Sequence, residues 1–297
     1  MITFANAHER KVAIALWKQH ATSYEVNTQE YRFVHDWLNS DIVAHMEEQS
    51  MSAFIMERKL SLRMGVHTIG VFFIPWSIYD SETLQTTLLK ERLSMHAHQA
   101  LGTIIVSENE VLMRSLKAHP WIVSQSVNLS KSMIEPKAFS MVTFELPVQG
   151  LLDAYNLFMK RFESTIVRTT EDFIFNQTIA TSRRKRAGII EDDRVLGYMD
   201  YELTPYGVDI REIIYEDIDT LLRLLSFSAS LHHHITIFTS QAERFEKLFP
   251  QANISKKVES WLVLHHPSLW SDLFKQTIKD ASDCARVLSH PLMMHTR

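Results

Sequence analysis

Seven glycines are spread through 297 residues, at Gly65, Gly70, Gly102, Gly150, Gly188, Gly197 and Gly207. No two stand close enough for G-x-G-x-x-G or for G-x-x-x-x-G-K-S/T, so glycine-fingerprint dinucleotide folds and P-loops are excluded. Yet the chain builds the frame that such loops occupy. Residues 70–93 read GVFFIPWSIYDSETLQTTLLKERL: an apolar run that stops at Pro75, a short turn, and a helical pattern from near Ser81. Strand, turn and helix in that order commonly hold an anion, because the first helical N–H groups are unpaired and the helix dipole favours negative charge there. Here the turn carries two rings, Trp76 and Tyr79, and two acids, Asp80 and Glu82. Asp80 or Ser81 suits the helix cap, and a capped carboxylate competes for the N–H groups a phosphate needs. An ordinary capped helix is therefore expected, with the two rings packed in a core or an inter-domain surface and ligand contact as the alternative.

The pattern along the chain is mixed α/β. Helices are expected at 6–21, 28–38, 81–98 and 108–118, and strands at 42–47, 52–63, 66–74, 102–107, 121–127 and 139–146. A boundary is expected near residues 147–150. Beyond it, helices fit 149–163, 170–182, 217–230 and 267–288, and strands fit 187–191, 195–203, 208–216, 235–240 and 258–266. Two units of similar size follow, 1–147 and 148–297, consistent with the length.

Composition narrows the function classes. A formal charge of −4 offers no broad basic field, so no nucleic-acid partner is expected. The lone Cys284 excludes an intrachain disulfide framework, the opening has no signal-like apolar stretch, and no window spans a bilayer. A cytoplasmic protein without a membrane partner is expected. No metal site is expected at His232, His233 and His234, which read as a polar loop before a strand; His96 and His98 face apart on a helix, and His265 and His266 end a strand. The run Arg183, Arg184, Lys185 and Arg186 reads as a solvated loop or a helix C-terminus.

With its elements in line, the chain resembles the tandem-domain N-acetyltransferases of the enhanced-intracellular-survival family, which carry two GNAT folds in series. The carrying stretches are LWKQHATSYE, VHTIGVFFIP and LLKERLSMHAHQALGTIIVSENEVLMRSL in the first half, then DAYNLFMKRFESTIVRTTEDF, VLGYMDYELTPYGVDIREIIYEDIDTLLRLLSF and VESWLVLHHP in the second. The resemblance implies two tandem GNAT-like (acyl-CoA N-acyltransferase) domains in an α/β chain with mixed sheets. It implies acetyl-CoA as cofactor and a small-molecule amine as acceptor, and it leaves homo-oligomer formation open. The cofactor would lie on the backbone at Val71, Phe72 and Phe73 and against Trp76, Ser77, Tyr79 and Ser81.

Departures from the family pattern point the other way. The family's phosphate loop, R/Q-x-x-G-x-G/A, is replaced by PWSIYDSETL. Leu112 or Met113 falls where the family places a tyrosine acid, and the roughly thirty residues after the second unit are too few for the sterol-carrier-like domain whose terminal carboxylate is the family's base. No catalytic residue is carried over. Two functions are expected to compete: an acetyl-CoA-dependent N-acetyltransferase with weak or lost activity, and a non-catalytic binding or assembly module that keeps the double fold.

Overall fold

The structure is a computed structural model that describes residues 2–21, 33–34, 36–47, 50–179 and 184–287. It divides into two compact units interleaved along the chain, one built from Met1–Trp121 with Val258–Leu288 and the other from Ile122–Lys257. The single cut expected near residue 147 follows chain order. The division differs because residues 122–147 pack in the second unit and the chain returns to the first after residue 257.

In the first unit, strands β1 (Ile2–Phe4), β2 (Asp41–Glu47), β3 (Ser50–Met64), β4 (His67–Tyr79) and β5 (Gly102–Val106) lie in that order. Neighbours are antiparallel except β4 and β5, which run parallel. The last place beside β5 is taken by residues of β13 (Asn253–Leu264), antiparallel, with Trp261 opposite Ile105. Helix α1 (Ala7–His20) is started by a capping box of Asn6 and Glu9. Helix α2 (Glu82–His96) follows β4 and α3 (Glu110–Ser115) follows β5. Helical residues 33–34 and 36–39 belong to the helix expected at 28–38, whose remainder lies outside the described residues. Two cores result. One gathers Ala13, Leu16, Trp17, Phe33 and Phe54, and the other gathers Ile55, Ile74, Leu88, Leu89, Ile105 and Trp261.

In the second unit the order is β6 (His119–Ser130), β12 (His234–Ser240), β11 (Gly207–Tyr215), β10 (Arg194–Thr204), β9 (Arg184–Glu191) and β7 (Val142–Thr143). Among the described residues of this unit, β11 and β12 pair in parallel and the other neighbours run antiparallel. A short strand β8 (Ser164–Ile166) and helices α4 (Val148–Met159), α5 (Thr170–Ile179), α6 (Ile218–Leu231) and α7 (Phe245–Leu248) complete it. Their apolar faces close one core around Tyr155, Phe158, Tyr198, Ile214, Leu224 and Phe245.

Several expected elements change. The strand expected to stop at Pro75 runs on to Tyr79, because Pro75 falls at a bulge: Met56 faces Trp76 and Arg58 faces Phe73, so Glu57 meets both Ile74 and Pro75. Proline is tolerated there since the bulge already interrupts the ladder. The strand expected at 139–146 shrinks to Val142–Thr143. The closing helix splits into α8 (Pro267–Phe274) and α9 (Ala281–Val287) at Lys275, whose φ is 53°. No helix among the described residues is long and apolar enough to cross a membrane.

Candidate functional site

Strand β4 is the frame of the site, and its two halves are different surfaces. Phe72, Phe73 and Ile74 face Thr103, Ile104 and Ile105 of β5, while Val71, Phe72 and Phe73 face Leu60, Lys59 and Arg58 of β3. Both edges at Phe72 and Phe73 are thus filled by the sheet itself. Beyond Ile74 the pairing with β5 ends although β4 continues to Tyr79, so residues 75–79 keep β3 on one side and no described strand on the other. The open edge lies past the bulge, beginning two residues after Phe73, and it contains Trp76, Ser77 and Tyr79 but not Val71–Phe73. Gly70 is not a close-approach position, because a Cβ there would meet nothing within 4 Å.

The residues expected to hold a cofactor divide between the faces of the sheet. Trp76 packs edge-on against Phe33 at 5.4 Å and Trp17 at 6.3 Å, and its Nε1–H donates to Asp36 Oδ2 at 2.8 Å. Phe73 lies under the Arg58 guanidinium, which pairs with the same Asp36 at 3.1 Å. Phe72 turns to α2 and stacks on His96 at 3.7 Å. On that face Ser77 Oγ accepts from Gln85 Nε2 at 2.8 Å, and Tyr79 packs on the core that contains Leu88 and Leu93. Trp76, Ser77 and Tyr79 are strand residues rather than turn residues, and alternation along β4 sends them to opposite sides.

Ser81 is the N-cap of α2, its Oγ accepting from the Leu84 N–H at 3.3 Å. Asp80 is held outside the helix by His20, Nε2 to Oδ1 at 2.9 Å, and its own N–H donates to Ser52 O. Glu82 stands in the first helical turn and lines a groove of about 440 Å³ with Thr86, Asn109, Val111, Leu112 and Ser115. Among the described residues that line it there is no lysine or arginine. The cap is thus taken by a hydroxyl, and the carboxylates of Asp80 and Glu82 flank the helix entrance, a setting that opposes a bound diphosphate. Leu112 and Met113, near which the resemblance sets the family's tyrosine, are 7% and 0% exposed, and neither side chain can move a proton.

Toward the C-terminal end of α2 lies a polar network of which sequence reasoning named only His96 and His265, each separately. Glu57, 3% exposed, accepts from Arg92 Nε at 3.0 Å and from the Arg92 terminal nitrogen at 2.6 Å, and meets His96 Nε2 at 3.0 Å. His96 Nδ1 meets Thr103 Oγ1 at 3.0 Å, and that hydroxyl meets His265 Nε2 at 2.8 Å. Burial alone would raise the Glu57 carboxyl, but the hydrogen bonds from His96 and Arg92 outweigh it and hold the group below its usual range. Burial, with His96 and His266 nearby, pushes His265 down to about 4, so it is neutral at pH 7. With Thr103 fully buried, the network is a clamp on α2 and β5 rather than a nucleophile and its base. The signal for it was available: Gln85, Arg92 and His96 interrupt the apolar stripe of α2 at helical spacing, and all three are buried.

The second unit repeats the plan with its own substitutions. Pairing of β11 with β12 ends at Ile210, beside a bulge, and β11 continues to Tyr215. Residues 214–221, IYEDIDTL, echo IYDSETL at 78–84, and Asp217 caps α6 by accepting from the Thr220 N–H at 2.8 Å. Glycine is again missing and acids again occupy the helix entrance. Arg184 and Arg186, expected in a solvated loop, lie in β9 and turn onto Asp200, Arg186 bidentately at 2.5 and 2.7 Å. Arg183 lies outside the described residues. In the next row Arg168 grips Glu212 at 2.9 and 3.0 Å, and Tyr198 donates to the same carboxylate at 2.6 Å. Burial opposes charge on Arg168, but Glu212 keeps it protonated, and burial beside Glu212 pushes the Tyr198 hydroxyl well up.

The fold of this chain is similar to that of several solved structures. A probable N-acyltransferase from Enterococcus faecalis, described as a conserved protein of unknown function, has a TM-score of 0.73 at 13% identity, over 89% of this chain and 72% of that one. A GCN5-related N-acetyltransferase from Kribbella flavida has a TM-score of 0.66 at 10% identity, over 90% and 72%. Eis1 from Mycobacterium abscessus has a TM-score of 0.65 at 10% identity, over 93% and 76%. The chain has the fold of the GCN5-related N-acetyltransferases. No protein-family model and no curated protein sequence matches it. At these identities the likeness carries the GNAT fold alone, and it leaves the chemistry to the residues above.

Proposed function

We propose that this chain is a GNAT-fold, Eis-like protein in which acetyl-CoA-dependent N-acetyl transfer is weak or lost. The observation that carries the reading is the entrance of α2, where Ser81 fills the cap, Asp80 is tied to His20, and Glu82 faces the groove. Catalysis by this fold rests on holding a charged cosubstrate in place while an amine attacks its thioester. A seat that repels the diphosphate removes the positioning before any proton transfer is considered. The words acyltransferase and acetyltransferase attached to similar structures make a small-molecule amine the acceptor to test, and the single Cys284 thiol fits a cytoplasmic setting.

The second reading is a non-catalytic binding or assembly module on the same two GNAT-like domains. It is favoured by the burial of Leu112 and Met113 at the place of the family's acid. Thermal unfolding of the full chain with millimolar acetyl-CoA tests the proposal. A ligand at about 100 times its dissociation constant stabilises by about 2.7 kcal/mol. The expected result is no shift of the unfolding midpoint, and a clear rise would overturn the loss of binding.

A further inference from the structure

Arg58, on the face of β3 that packs toward α1, is a buried cation with one edge unused. Its side chain is 10% exposed, and Nη1 pairs with Asp36 Oδ1 at 3.1 Å. The guanidinium lies over the Phe73 ring. Nε and Nη2 are buried and have no hydrogen-bond partner among the described residues. These two nitrogens share one edge of the guanidinium, where their parallel N–H bonds match the two oxygens of a carboxylate. Buried donors rarely stay unpaired, and charged ones least of all.

Ser40 brings a further unpaired group to the same place. One step beyond the pairing of Asp41 with Glu57, the register of β2 and β3 sets Ser40 across from Arg58, on the same face of the sheet. Ser40 is 6% exposed, and its hydroxyl has no hydrogen-bond partner among the described residues. Its carbonyl and that of Trp37 accept from Arg10, so a second cation stands at this corner. Among the described residues Asp36 is the carboxylate paired here, its other oxygen accepting from Trp76. One positive charge is left over. A monoanion balances it, a phosphate dianion would overfill it, and the rings of Phe73 and Trp76 suit a ligand with an apolar body.

From this juxtaposition we infer that the first unit binds a small monocarboxylic acid, its two oxygens on the Nε and Nη2 edge of Arg58 and a further hydrogen bond donated by Ser40 Oγ. Such binding needs neither coenzyme A nor turnover, so it goes beyond the proposed function.

Calorimetric titration of the full chain with sodium propionate tests it, with propionamide as the neutral isostere and inorganic phosphate as the competing anion. Propionate is expected to bind, and propionamide and phosphate to bind about tenfold more weakly or less. Arg58→Lys keeps a charge beside Asp36 but loses the two-pronged edge. It is expected to weaken propionate about tenfold, with the urea midpoint monitored to confirm folding. Ser40→Ala, a smaller change that leaves Arg58 in place, is expected to weaken it about threefold, and it decides the matter where Arg58→Lys fails to fold. The inference is overturned by the absence of saturable propionate binding, or by propionamide or phosphate binding as tightly as propionate. Wild-type affinity in a folded Arg58→Lys variant or in Ser40→Ala overturns it too. Each of these results is separate from coenzyme A binding, so the proposed function is tested on its own.

Discussion

Replacing Glu57 by Gln keeps the shape of the side chain and removes its charge, which isolates what the buried clamp contributes. Arg92 is 7% exposed and donates twice to Glu57, so the substitution leaves a guanidinium in the core facing a neutral amide. Breaking a buried pair by removing one partner costs about 3–5 kcal/mol, against at most ~1 for an exposed pair. At ~2–4 °C per kcal/mol for a unit of this size, the midpoint should fall by about 6–20 °C. Thermal unfolding followed by tryptophan fluorescence, to which Trp261 in the core that α2 covers contributes, measures the loss. A pH series adds a second check. The Glu57 carboxyl is depressed in the folded state, so its contribution is complete above the unfolded value of 4.5 and is lost as pH falls through the lower folded value. The gap between wild type and variant should therefore close in acid. A variant within ~1 kcal/mol of wild type at pH 7, or a gap that persists in acid, would refute the clamp. Replacing Glu57 and Arg92 together by Leu and Met should cost less than Glu57→Gln alone, because no unpaired charge remains.

Other outcomes follow from the same geometry. Asp80→Gly combined with Glu82→Gly should raise coenzyme A affinity by about 3–30-fold, from ~0.3–1 kcal/mol for each charge at a helix N-terminus, and an unchanged dissociation constant would show that these acids are not the obstacle. Gly197→Ala would put a Cβ 2.6 Å from Ile214 O and 2.7 Å from Thr220 Cγ2, so the second unit should lose stability in urea; an unchanged midpoint would contradict the close approach. Cys284 is fully buried and its thiol is pushed up to about 12 by that burial, so iodoacetamide at pH 8 should leave the native chain unlabelled and modify it once unfolded.

Much of the fold was legible because most elements carry their own period. The alternation in VLGYMDYEL and VDIREIIYE, and the acids opening DIDTLLRLLSF, marked β10, β11 and α6 to within one or two residues. What failed shares one cause, a local signal overruled by a partner distant in sequence. Pro75 signals a break, yet β3 supplies eleven paired positions to β4, and a bulge absorbs the proline. The basic run signals solvent, yet Asp200 lies directly opposite Arg186 across the ladder and draws its charge inward. The return of the chain to β5 through β13 leaves no mark in any local window, because strand pairing at a separation of some 150 residues is decided by the assembled sheet. In the site, the acids at 80 and 82 were visible, whereas the open edge at 75–79 and the unpaired edge of Arg58 required the assembled sheet.

Calorimetric titration of the wild-type chain with coenzyme A tests most directly whether the α2 entrance refuses a diphosphate. A dissociation constant weaker than about 1 mM, worth less than ~4.1 kcal/mol, is the result this structure predicts. Micromolar binding, with the diphosphate seen on the amides of residues 76–82 in the complex, would contradict it.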